Sequence, residues 1–417
     1  MPRKRFTKKS KLNRLFIVII FILAVANIFV FTNIANSYFK KDLSAGDSTT
    51  SKADIQKEAQ KIIYACQTTQ SKESCYSEEF KKLTEKTDLV FAQKTLSAVQ
   101  DIDPKFTLGC HLIAHFISIA ETKKDPSKWK ELLQKTDSNS CTGGYVHGIL
   151  EAHMSSNPDY EISATQIPVI CSFLPDANAG GDINCSHNLG HILLAQEQDN
   201  IGKSVEICND VQDAKMKYEC LSGIFMERMT RLNLEAHGLS QRIPWDAKNT
   251  AEMEQICREY TDVAGLTCWR EISHMFAILH NSEPQGVFDA CYRAPTQEYA
   301  KDCYFHATSI MAVSYDFRSE NLNKVCSFYN TDPASYNKCT AFLVGGMLMS
   351  SAKFADQVIG YCASALEEQR DDCFGIMGNV LHGAVKEDGK KEAICENVPV
   401  IYRDRCMFGG PQELYVQ

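Results

Sequence analysis

Eighteen cysteines constrain this chain more than anything else in it. From Cys171 onward they come in pairs: Cys171/Cys185, Cys208/Cys220, Cys257/Cys268, Cys291/Cys303, Cys326/Cys339, Cys362/Cys373 and Cys395/Cys406. The separation within a pair is 11 to 14 residues, and from Cys268 to Cys406 the second cysteines step by 35, 36, 34 and 33. An even count at regular spacing reads as a disulfide framework, which needs an oxidising compartment. A period near 35 marks an array of helical hairpins. The first cysteine of a pair ends a mixed helix, as over Lys203–Cys208 and Asn321–Cys326. A polar loop follows, and the second cysteine opens a more apolar helix, as over Cys220–Met229 and Cys339–Met349. A bridge closing so short a loop contributes about 3 kcal/mol by reducing unfolded-chain entropy. One hairpin cannot bury its apolar face alone, so neighbours stack into a continuous core. The expected fold class is all-α, an α-solenoid of disulfide-stapled helical hairpins.

Paired cysteines in hairpins of this length resemble the cysteine-rich, tetratricopeptide-like repeat proteins. The resemblance covers Cys171 to Cys406 and rests on period and cysteine placement. It implies the solenoid fold and a protein or peptide partner on the curved face. The tetratricopeptide signature residues are absent, so no functional residue carries over. Upstream, Cys66 and Cys75 bracket a polar turn and close a short hairpin. Cys110 and Cys141 lack first-helix partners and bridge to each other as starts of adjacent second helices. Two spacings are too long. Cys141 to Cys185 is 44, with the excess near Ser155–Pro168, and Cys220 to Cys268 is 48, with the excess near Arg231–Thr250. Such insertions are either loops on a binding face or neutral surface additions.

The N-terminus supports the oxidising compartment. Residues 1–14 hold seven basic side chains and no acid, and residues 15–35 form a mostly apolar run of spanning length. The basic segment 1–14 stays cytoplasmic and 15–35 is a transmembrane signal anchor. A cleaved signal peptide is the competing reading; the long run and the lack of a small-x-small site favour the anchor. Residues 36–53 read as a linker and 54–417 as the extracytoplasmic repeat domain. Removing seven positive charges from a formal net charge of −8 leaves −15 on the remainder. That acidity argues against a nucleic-acid partner and against docking on an anionic lipid surface, and reads best as a solubilising surface.

No Walker loop, dinucleotide fingerprint, nucleophile elbow, His-Glu-x-x-His or Cys-x-x-Cys is present. Histidine carries the remaining information. Ten of the eleven lie within twelve residues after a second-helix cysteine, where even scattering would place about three. His147, His191 and His274 each follow their cysteine by six residues, and His111/His115 and His187/His191 are i, i+4 pairs that share a helix face. Stacking would align His111, His115, His147, Glu151, His187, His191 and Glu227 as one ridge of metal ligands. Imidazole with carboxylate suits zinc, copper or iron, and helix-borne His and Glu also build dimetal centres in bundles. Two other readings stand beside this one: a structural hydrogen-bond network and a groove for a non-metal ligand. Ser309, Gly345 and Asn379 occupy the column position in later repeats, so packing does not demand histidine there. The expectation is a membrane-anchored metalloprotein, a metal-dependent oxidoreductase being one activity such a centre supports. The alternative is a scaffold that binds a peptide or protein and keeps structural histidines.

Overall fold

Small polar residues in the loops decide where each helix begins. Asp88 accepts the backbone N–H of Phe91, Asn200 that of Lys203, and Asp246 that of Asn249. Asp213 accepts from Lys215 and Met216, Thr296 from Tyr299, and Asp332 from Ser335. Each satisfies a donor that the first helical turn leaves open. The computed structural model describes residues 51–410, apart from 70–71, 104–108, 137–139, 178–180, 231–244, 316–317, 351 and 386–388. In chain order the helices are α1 (Lys52–Cys66), α2 (Lys72–Lys86), α3 (Leu89–Ile102), α4 (Cys110–Lys124), α5 (Trp129–Gln134), α6 (Gly144–Ser155) and α7 (Gln166–Cys171). They continue as α8 (Gly181–Gln196), α9 (Ile201–Asn209), α10 (Ala214–Thr230), α11 (Ala247–Glu259), α12 (Asp262–Leu279), α13 (Pro284–Cys291) and α14 (Gln297–Ser314). The last are α15 (Ser319–Leu322), α16 (Pro333–Ser350), α17 (Ala355–Ser364), α18 (Glu367–Ala384), α19 (Lys390–Glu396) and α20 (Arg403–Phe408). Among the described residues there is no strand.

The basic segment 1–14, the anchor at 15–35 and the linker up to residue 50 lie outside the described residues. Among those described, no helix is long and apolar enough to cross a membrane. Helix α1 already begins at Lys52, inside the span read as linker. Residues Ile55–Gln417 form a unit of their own.

Within that unit the even-numbered helices from α2 to α20 pack each against the next, giving one continuous row. From α3 to α19 each odd-numbered helix packs beside the even-numbered helix that follows it, except α15, which packs on α17. The buried core follows this row from Ala59 to Cys406 without a break into separate clusters. Nine disulfides staple it, and their Cα–Cα distances of 5.3–5.7 Å suit unstrained bridges. They join the same cysteines that the spacing pairs, including Cys110 to Cys141.

Two details differ from expectation. The second cysteine does not open its helix. Helices α10, α12, α14, α16 and α18 start about a turn and a half before Cys220, Cys268, Cys303, Cys339 and Cys373. At α10, α14 and α16 the caps Asp213, Thr296 and Asp332 sit inside the polar loop and start the helix there. Nor does Cys326 end a helix over Asn321–Cys326. Helix α15 is a single turn, and the Tyr304 hydroxyl donates to the Val325 carbonyl at 2.6 Å, tying the segment to α14 rather than to a helix of its own.

Glycines set how closely the first long helices approach. A Cβ on Gly144 or Gly148 of α6 would collide with the His111 or His115 carbonyl of α4. A Cβ on Gly190 of α8 would collide with the Cys220 carbonyl of α10, and one on Gly223 with the His187 carbonyl of α8. Only the missing side chain allows backbone to lie against backbone at these points.

Candidate metal centre

The close approach of α4 to α6 and of α8 to α10 drives the histidine faces together. On the first pair, His115 Nε2 is in very short contact with Glu151 Oε2, and His147 Nε2 lies 3.9 Å from the same oxygen. All three side chains are buried, and their potential ligand atoms lie within 4.8 Å of one another. His147 stands in the middle of the ridge, its ring centroid 4.4 Å from that of His115 and 4.9 Å from that of His191. His111 borders the group, 6.0 Å from the His147 ring. Its Nδ1 lies 3.1 Å from the Cys141 carbonyl, and burial with the neighbouring His115 and His191 pushes its pKa down to about 3. The ring is therefore neutral near pH 7, and donating Nδ1–H to the carbonyl leaves the lone pair on Nε2.

The second pair of helices repeats this logic with carboxylates. His191 Nδ1 lies 2.9 Å from Glu227 Oε2, and His187 Nδ1 lies 3.3 Å from Glu219 Oε2. Burial raises the Glu219 pKa, but hydrogen bonding to His187 and the charges of His187 and Arg270 outweigh it and the net shift is downward. A carboxylate oxygen beside each Nδ1 would support the Nδ1–H tautomer in a neutral ring. The two Nε2 atoms face each other at 3.1 Å, close enough for one ring to donate to the other or for both to bind one cation. With the proton of each ring on Nδ1 the two lone pairs would repel and a shared cation would relieve them; with one proton on Nε2 the pair is an ordinary hydrogen bond. Nitrogens bound at about 2.0–2.1 Å to one zinc stand about 3–3.4 Å apart. A carboxylate on the far nitrogen is the usual outer support of a metal-bound histidine.

All seven residues of the expected ridge thus come together, on four successive even-numbered helices. Glu151 also lines a cleft with Met154, Tyr160, Ile192 and Gln196, and Pro158 and Tyr160 come from the first long insertion. The second insertion, near 231–250, and His237 within it lie largely outside the described residues. Of the five described histidines outside the ridge, His153 stacks on Trp129 with ring centroids 4.5 Å apart, His280 packs against Gly286, and His382 is exposed. Glu219 is absent from the expected ridge because it precedes Cys220, in the stretch that the sequence reads as the polar loop of its hairpin.

A second group, also unanticipated, lies on α12 and α14. Glu271, His274 and His306 bring ligand atoms within 4.8 Å of one another. The spacing Glu271-x-x-His274 was the available signal, since i and i+3 share a helix face. No family model, curated protein or solved structure matches this chain.

Proposed function

We propose that the ridge on α4, α6, α8 and α10 binds transition metal, in a protein held outside the cytoplasm by an anchor at residues 15–35. The observation that carries this reading is the pair of Nε2 atoms of His187 and His191, 3.1 Å apart with Glu219 and Glu227 behind them. His115, His147 and Glu151 supply an adjoining ligand group, with His147 between the two. Nitrogen-rich ligation with one carboxylate suits zinc, copper or iron. Copper or iron would add redox chemistry, and the cleft beside Glu151 would give a small molecule access. The acidic surface speaks against a nucleic-acid partner.

Metal analysis of the purified full-length protein tests the reading. Wild type should carry zinc, copper or iron, His147→Ala and His191→Ala should lose most of it, and exposed His382→Ala should keep it. A protein that purifies without metal, and whose melting temperature ignores all three added ions, would overturn the reading. The histidines would then be a hydrogen-bond network, and His147→Ala would cost about 1–3 kcal/mol of stability with no metal to lose. Location is tested separately: a protease added to intact cells should degrade the domain beyond residue 36.

A further inference from the structure

We propose that Glu271, His274 and His306 form a second site for a divalent transition cation, built from residues other than those of the ridge. Glu271 and His274 project from one face of α12, and α14, which packs against it, supplies His306. The His274 and His306 ring centroids lie 4.8 Å apart with 26° between the planes.

The two histidines are held in a state suited to ligation, while burial raises the Glu271 pKa, so a cation there displaces a proton. His306 Nδ1 lies 3.2 Å from the Arg270 carbonyl and 3.2 Å from Ser273 Oγ. Donating Nδ1–H to that carbonyl leaves the lone pair on Nε2. Glu271 is 1% exposed, and its Oε1 accepts the Ser222 hydroxyl at 2.6 Å. Its Oε2 makes no hydrogen bond among the described residues. Burying a carboxylate with one oxygen unmatched is costly, and a cation removes that cost. Burial, then the Arg270 charge, pushes His274 down to about 4 and His306 well below the usual imidazole range. Both rings are therefore in the neutral form a metal requires.

Arg270 is the strongest group that opposes a cation here, and His187 adds to it more weakly. Its guanidinium is engaged elsewhere: it donates to the Tyr218 hydroxyl at 2.7 Å and lies over the Tyr218 and Phe342 rings. Tyr218 in turn donates to Asp302 at 3.4 Å. The nearest approach of Arg270 to Glu271 is 3.9 Å, too long for a hydrogen bond. Two imidazoles and one carboxylate suit iron or zinc and leave coordination positions open. His274 and His306 are partly exposed, so those positions have access to solvent.

The test strips the full-length protein with a chelator and titrates it with cobalt(II), reading bound ion per chain and the visible ligand-field bands. Glu271→Gln keeps the side-chain volume and an acceptor for Ser222. It should remove one cobalt equivalent from the wild-type total, and so should His306→Ala. The double variant His147→Ala/His191→Ala should retain that equivalent whatever it loses from the ridge. Circular dichroism checks that each variant is folded; if His306→Ala is not, Glu271→Gln decides. Wild-type stoichiometry and affinity in Glu271→Gln would overturn the proposal, as would a wild type that takes up no cobalt. Loss of cobalt from the ridge variant alone would locate all binding in the ridge and overturn it equally.

Discussion

At the scale of single residues, what stands behind a histidine decides its role. His191 and His306 have Nδ1 within hydrogen-bond reach of an oxygen, and His187 Nδ1 lies 3.3 Å from Glu219; in the Nδ1–H form the lone pair falls on the opposite nitrogen. The columns of imidazoles were legible from spacing after each cysteine. The oxygens were not, because Glu219 precedes Cys220 in a stretch that reads as loop, and the direction of the Arg270 carbonyl is a property of the folded backbone. His153 is the contrasting case, a histidine with an aromatic neighbour. It stacks on Trp129, meets Tyr160 edge-on and lies beside Asn157. Burial lowers its pKa, and the Lys130 charge adds to that shift. A histidine whose folded pKa is depressed loses stability on acidification. As pH falls through 6.5 the unfolded chain takes a proton that the folded chain refuses. His153→Gln should therefore flatten the decline of melting temperature between pH 7 and pH 5. Identical slopes in wild type and variant would refute the assignment.

At the scale of helices, the array was legible because hairpin period and cysteine period coincide. The helix starts differ from the spacing because Asp213, Thr296 and Asp332 read as loop polarity, whereas each begins a helix. Glycine content in the second helices signalled close approach, and only the structure separates the glycines that require it from those that do not. Gly190 and Gly223 face each other where α8 crosses α10, and a Cβ on either would meet backbone. Backbone cannot step aside as a flexible side chain can. Gly190→Ala should cost about 1–3 kcal/mol through overpacking and should lower metal content by spreading His191 from Glu227. Gly345 has nothing within 4 Å of an added Cβ. Gly345→Ala should stabilise α16 by about 0.5–1 kcal/mol, because alanine gives up less backbone entropy. Chemical denaturation of both variants checks the contrast, and equal effects would mean that the α8–α10 crossing tolerates separation.

At the scale of the whole described unit, eight bridges close short segments of 9 to 14 residues, while Cys110–Cys141 closes 31. The long one differs in kind. It joins the first residue of α4 to the turn leading into α6, and so ties together the two helices that carry His111, His115, His147 and Glu151. The same turn offers the Cys141 carbonyl to His111. Entropy alone makes the bridges similar, about 3–4 kcal/mol each in the chain-entropy model. Their positions make them different for the ridge. Replacing Cys326 and Cys339 together with serine should lower the melting temperature and leave the metal of the ridge in place, because stacked repeats transmit little beyond their neighbours. Replacing Cys110 and Cys141 together should cost similar stability and also release metal, since α4 is then free to shift against α6. Metal per chain, measured on the folded fraction of each double variant, separates the outcomes. Equal retention in both would show that the glycine contacts alone hold α4 and α6 in register, and that the long bridge serves only stability.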